Sequence, residues 1–140
     1  MRESAIDRLY QALATLMRRR PELSADVHPD FSLTGYTMLR EVEAAPGTRA
    51  TDLADLFGLD KSTVSRQLNE LEAAGLIRRE GERPGRRGQA LALTSDGQRR
   101  LEVEAEQARQ HFSDRLAAWK NRDLTAFAEM VERFLDDVTK

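Results

Sequence analysis

The chain contains no cysteine, so it can form neither a disulfide nor a thiol redox switch. Histidine is almost as scarce. His28 and His111 are the only two, and they do not stand at the short spacing of a zinc-ligand pair. His28 lies in D-V-H-P-D, where two carboxylates could draw a cation. A proline-flanked loop of this kind reads more simply as a turn, and no metal site is expected. There is no apolar run of about 18 residues, so no membrane span is expected. Charged Arg2 and Glu3 stand where a secretory signal would build its apolar segment, which predicts a cytoplasmic protein. Gly81, Gly85 and Gly88 belong to a hairpin rather than to a phosphate-cradling loop, and there is no serine elbow. Neither an enzyme nor a cofactor is expected.

Charge of one sign is also lacking in the total, which is −2. Its distribution is far from even. Residues 61–100 hold nine Lys/Arg against five Asp/Glu, a net of +4, while residues 1–60 and 101–140 each carry −3. A basic middle between acidic flanks orients a molecule on a polyanion instead of coating it.

Most of that basic middle lies within R-A-T-D-L-A-D-L-F-G-L-D-K-S-T-V-S-R-Q-L-N-E-L-E-A-A-G-L-I-R-R-E-G-E-R-P-G-R-R-G-Q-A-L-A-L-T, from Arg49 to Thr94. Ala50, Leu53, Ala54 and Phe57 form the inward face of a short helix, and Gly58 permits a tight turn after it. Asp60 is the expected N-cap of a second helix, and Gly75 the left-handed residue that stops it near Ala74. In this second helix Val64, Leu68 and Leu71 recur at i, i+4 and i+7. Ser62, Ser65, Arg66 and Asn69, with Thr63 beside them, occupy the opposite face. Short hydroxyls, an amide and a guanidinium are the groups that reach base edges and phosphates inside a major groove. Leu76 and Ile77 then open a strand, and Gln89–Leu93 alternates small and bulky residues as a half-buried return strand. Between them Arg83, Arg86 and Arg87 crowd a turn, where the negative potential of a narrow minor groove offers them a partner.

In this order and spacing, L-A-D-L-F-G-L-D-K-S-T-V-S-R-Q-L-N-E-L-E-A-A-G-L-I-R-R, the paired wing arginines and the following L-T-S-D-G resemble the MarR (multiple antibiotic resistance regulator) family of transcriptional regulators. The resemblance runs over nearly the whole chain. It implies a mainly α fold with a small antiparallel β-wing: a winged helix-turn-helix with N- and C-terminal dimerisation helices. It also implies a homodimeric repressor on an inverted repeat of double-stranded DNA, released by a small aromatic or anionic effector. Base and phosphate contacts then fall to Ser62, Thr63, Ser65 and Arg66, and the minor-groove contact to Arg86 or Arg87. Family wings often place an acid before the paired arginines. Gly85 stands there in this chain, so Glu80 or Glu82 would have to steady the guanidinium.

The residues themselves add Asn69 to the major-groove set and assign Arg49 and Lys61 to phosphates. The chain is expected to be a single domain, 1–140, with a DNA-binding lobe at 31–96 and a helical dimerisation lobe from 1–20 and 97–140. One helix is expected over residues 4–20, with Ile6, Leu9, Leu13 and Leu16 on one stripe. A long helix capped by Thr94 carries Leu101 to Trp119. A break at Asn121–Asp123 precedes a last helix with Leu124, Phe127, Val131, Phe134, Leu135 and Val138 on one face. So small a domain cannot cover these stripes, which predicts that a second chain does. An effector cleft is expected where the lobes meet, with Tyr10, Met17, Tyr36 and Arg40 as candidate ligand residues and Phe31 and Met38 nearby. An alternative from another class is a winged-helix module that contacts protein; it would suit an uncharged or acidic recognition face, and this face is neither.

Overall fold

The computed structural model describes residues 1–81 and 88–140. Among the described residues, seven helices and two strands run in the order α1 (Arg2–Arg18), α2 (Arg20–Val27), α3 (Leu33–Ala44), α4 (Ala50–Phe57), α5 (Lys61–Ala73), β1 (Ile77–Glu80), β2 (Ala90–Leu93), α6 (Ser95–Arg115) and α7 (Asn121–Val138). The fold is mainly helical with a two-stranded antiparallel wing, a winged helix-turn-helix. Two compact units are distinguished, residues 1–108 and 109–140.

The first unit is built around one core. Met38, Leu39 and Val42 of α3 meet Leu53 and Ala54 of α4, Val64, Leu68 and Leu71 of α5, then Leu76, Ile77, Leu91 and Leu101. Each helix contributes a stripe of period 3.6 and leaves its polar face outside. The hairpin pairs Ile77 with Leu93 and Arg79 with Leu91, so Ile77, Leu91 and Leu93 share the core face, with Arg79 on the same side of the sheet. The Leu91 amide donates to the Thr48 carbonyl at 2.8 Å, tying the wing to the segment before α4. Gly97, at the start of α6, lies so close to β1 that an added Cβ would sit 1.9 Å from the Leu76 carbonyl oxygen. Thr94 holds this junction: its Oγ1 accepts from the Gly97 amide at 3.0 Å and donates to the Gly75 carbonyl.

The second unit holds the end of α6, a turn and α7. Trp119 packs edge-on against Phe127, ring centroids 5.7 Å apart. No residue of α7 is buried: Phe127, Met130, Leu135 and Val138 are each at least half exposed. In the first unit α1 likewise buries nothing, and Ile6, Leu9, Leu16 and Met17 lie exposed.

Three expectations need correction. The helix expected over 4–20 forms as α1 but ends at Arg18, and α2 starts at Arg20 with Pro21 in its first turn, where the missing N–H costs nothing. The break after α6 lies at residues 116–120, and Asn121–Asp123 form the first turn of α7. Met38, grouped with the effector cleft, is fully buried in the core.

A candidate nucleic-acid interface

α5 owes its exposed face to the completeness of its buried one. Val64 and Leu68 are almost wholly removed from solvent, which fixes the rotation of the helix. Ser62, Ser65, Arg66 and Asn69 must then face outward, with Lys61 exposed before them and Thr63 half-buried at the edge. The helix is fixed at both ends as well. Asp60 Oδ1 accepts from the Thr63 amide at 2.7 Å and from Ser62 Oγ at 2.9 Å. These hydrogen bonds, from Thr63 first and then Ser62, with Arg66 adding a favourable charge, hold the Asp60 carboxyl below its usual range. At the other end Gly75 takes φ 76°, and the Leu76 amide bonds back to the Leu71 carbonyl at 3.0 Å. Before α5, Gly58 takes φ 62° and turns the chain out of α4.

Arg49 is the N-cap residue of α4, half-buried, and its guanidinium Nη1 donates to the Gly88 carbonyl at the base of the wing. One of its five donors therefore positions the hairpin. Asp52 closes the same turn by accepting from the Arg49 amide at 2.9 Å. On β1, Arg79 reaches back to α5: Nη2 donates to Asn69 Oδ1 at 3.0 Å and Nε stands 3.4 Å from Glu72 Oε2. Arg78 pairs with Glu80 at 2.7 Å, so the Glu80 carboxylate already has a cation of its own. Arg86 and Arg87 lie outside the described residues, as do Arg83 and Glu82.

Of the four candidate effector residues, the structure brings two together. Tyr36 Oη accepts from Arg40 Nη1 at 3.4 Å, and the Tyr36 ring stacks at 4.4 Å on His28. Tyr10 and Met17 are exposed on α1. A cleft of about 330 Å³ between α1 and α2 is lined by Ala12, Thr15, Leu16, Arg19, Glu22, Leu23 and Asp26, and by none of the four.

Sequence reasoning missed a buried polar cluster. His28, expected in a turn, caps α2 and is 3% exposed; its Nδ1 lies 2.8 Å from Oε2 of Glu104, itself 1% exposed. Arg100 donates to the other Glu104 oxygen at 2.9 Å and to the Asp30 carbonyl at 3.0 Å, and lies over the Phe31 ring at 4.8 Å. An ionised carboxylate can only accept, so the His28 ring donates from Nδ1. The available signal was Glu104 itself, which falls on the apolar stripe of α6 between Leu101 and Ala108. Among the described residues, no group of three His, Cys, Asp or Glu side chains could hold a metal ion. No helix there is long and apolar enough to cross a membrane.

A helix with one face locked in the core and a polar face outside, followed by a wing, is the architecture of a winged helix-turn-helix protein. Comparison with known proteins agrees. Residues 30–88 match the model of the MarR family. The uncharacterized HTH-type transcriptional regulator YxaD of Bacillus subtilis is 26% identical over 133 residues, covering 94% of this chain and 93% of the relative. The MarR family protein RV2887 of Mycobacterium tuberculosis, solved in complex with p-aminosalicylic acid, is 26% identical, with a TM-score of 0.67 over 90% of this chain and 94% of that one. A MarR family protein from Bacillus stearothermophilus shares the fold with a TM-score of 0.83, over 100% of this chain and 99% of that one, at 15% identity. The chain is therefore similar to MarR family transcriptional regulators over nearly its whole length, and the family's model matches the segment that holds the helix-turn-helix.

Proposed function

We propose that this chain acts in the cytoplasm as a homodimeric repressor on an inverted repeat of double-stranded DNA. The observation that carries the reading is the outward face of α5, where Ser62, Ser65, Arg66 and Asn69 are exposed on a helix whose other side is locked in the core. Ser62, Thr63, Ser65, Arg66 and Asn69 enter the major groove, Arg49 and Lys61 contact phosphates, and Arg86 or Arg87 enters the minor groove. Residues 31–96 form the DNA-binding lobe, and 1–20 with 97–140 the dimerisation lobe.

The apolar faces of α1 and α7 support the dimer. Leaving Phe127, Met130 and Leu135 half exposed is costly, since burial returns roughly 25 cal/mol per Å² of apolar surface. A second copy that covers them also places two recognition helices about one turn of DNA apart, roughly 34 Å. Release by an aromatic acid follows if the ligand binds one spacing of the two heads better than the other. The aromatic acid in the RV2887 complex supports that chemistry, and Tyr10, Met17, Tyr36 and Arg40 are the residues assigned to it.

The test is a fluorescence-anisotropy titration of duplex DNA from upstream of the chain's own gene, beside a scrambled duplex, at two salt concentrations. Two chains per upstream duplex, with the preference kept at higher salt, is the expected result. Equal and salt-sensitive binding to both duplexes would contradict readout of that site. Binding to neither would favour a module that contacts protein.

A further inference from the structure

Asn69 stands in the third turn of α5, on the exposed face that begins with Ser62. It does not face solvent alone. Arg79 of β1 donates through Nη2 to Asn69 Oδ1 at 3.0 Å, while its Nε is held toward Glu72 at 3.4 Å. A guanidinium has donors and no acceptor, so the amide atom that meets it must be the oxygen. The orientation of Asn69 is thereby decided before any DNA arrives. The Nδ2 amino group remains wholly free for a partner, while the second lone pair of Oδ1 lies beside a fixed positive charge that disfavours a further donor.

We infer that Arg79 biases Asn69 toward donating, so that it selects guanine and disfavours adenine at one position of each half-site. The inference rests on the proposed DNA reading. A free asparagine pairs with adenine by accepting from N6 and donating to N7. Here the N6 amino group would have to approach an oxygen already bound to a guanidinium, bringing two donors and a cation together. Guanine presents acceptors at both O6 and N7, which suit the Nδ2 hydrogens and the positive potential. Arg79 is thus a positioning residue that sets specificity without needing to touch a base. Glu72 holds its Nε end, so the guanidinium has a preferred place without DNA.

The experiment is selection from a randomised duplex pool with the full chain, followed by sequencing, for wild type, Asn69→Ala, Asn69→Asp, Arg79→Ala and Arg79→Lys. Asn69→Ala should flatten the preference at one position per half-site, and wild type should show guanine there. Arg79→Ala should shift that position alone toward adenine, by about tenfold relative to guanine, while Arg79→Lys, which keeps a charged donor, should retain guanine. Asn69→Asp leaves β1 intact, removes the donor and should shift the position toward cytosine, whose N4 donates. Adenine at that position in wild type, no position sensitive to Asn69→Ala, guanine retained by Arg79→Ala, or guanine retained by Asn69→Asp would each overturn the assignment while leaving DNA binding intact. A wild-type pool with no enriched sequence would overturn the DNA reading and this assignment with it.

Discussion

Replacing His28 by leucine would leave the Glu104 carboxylate buried with one of its oxygens deprived of its donor. The loss can be sized from the surroundings. Glu104 is 1% exposed and its two polar partners are His28 at 2.8 Å and Arg100 at 2.9 Å. Water cannot easily replace the ring, so the charge must be carried by Arg100 alone or the helix must shift. Removing one member of a buried charged pair typically costs about 3–5 kcal/mol. The double variant His28→Leu/Glu104→Leu behaves differently. It removes the stranded charge and adds apolar volume, and Arg100 keeps the Asp30 carbonyl and the face of Phe31. Apolar replacement of a whole buried pair is often neutral or stabilising, so the double variant should recover at least about 2 kcal/mol of the single variant's loss. Urea denaturation reads both, at one protein concentration because a dimer's stability depends on it. With a slope of roughly 2 kcal/mol per molar urea, the single variant's midpoint should fall by about 1.5–2.5 M. A double variant as unstable as His28→Leu would refute the reasoning, because the cluster would then matter for its shape and not for its charge.

Three further outcomes are expected. Arg66→Ala should lower affinity for the preferred duplex and flatten base discrimination, whereas Lys61→Ala should weaken all duplexes alike and reduce the salt dependence; equal loss on preferred and random DNA by Arg66→Ala contradicts its role. Asp60→Ala should lower the melting temperature at neutral pH. Because the folded-state Asp60 carboxyl lies below its usual range, its contribution is present above the ordinary carboxylate pKa and fades as pH falls through the depressed value. The variant and wild type should therefore converge in acid, and a gap that stays constant with pH would exclude the capping carboxylate as its cause. Gly97→Ala should cost about 1–3 kcal/mol or more, seen by the same urea titration, since its Cβ would meet the Leu76 carbonyl, a backbone atom that moves only with β1.

The winged lobe was legible in the sequence because its information is local. Val64, Leu68 and Leu71 mark the inner face of α5 by spacing alone, Asp60 and Gly75 bound it by capping chemistry, and Gly58 marks the turn before it. Each of these rests on contacts within a few residues. α2 was hidden because it is short and mostly solvated, with Leu23 and Val27 its only large apolar residues, too few to show a period. The reach of Arg49 to Gly88, of Arg79 to Asn69 and of His28 to Glu104 joins residues that are 39, 10 and 76 positions apart. Spacing carries no record of such pairs. By itself the sequence determined the bounds of α4 and α5, the strands of the wing and which face of α5 is polar, since periodicity and caps act along the chain. Only the tertiary structure decided that a loop histidine is buried against a carboxylate and that an arginine of the wing orients an asparagine of the recognition helix. Those outcomes depend on which surfaces the core brings within about 3 Å, the range at which a hydrogen bond exists at all.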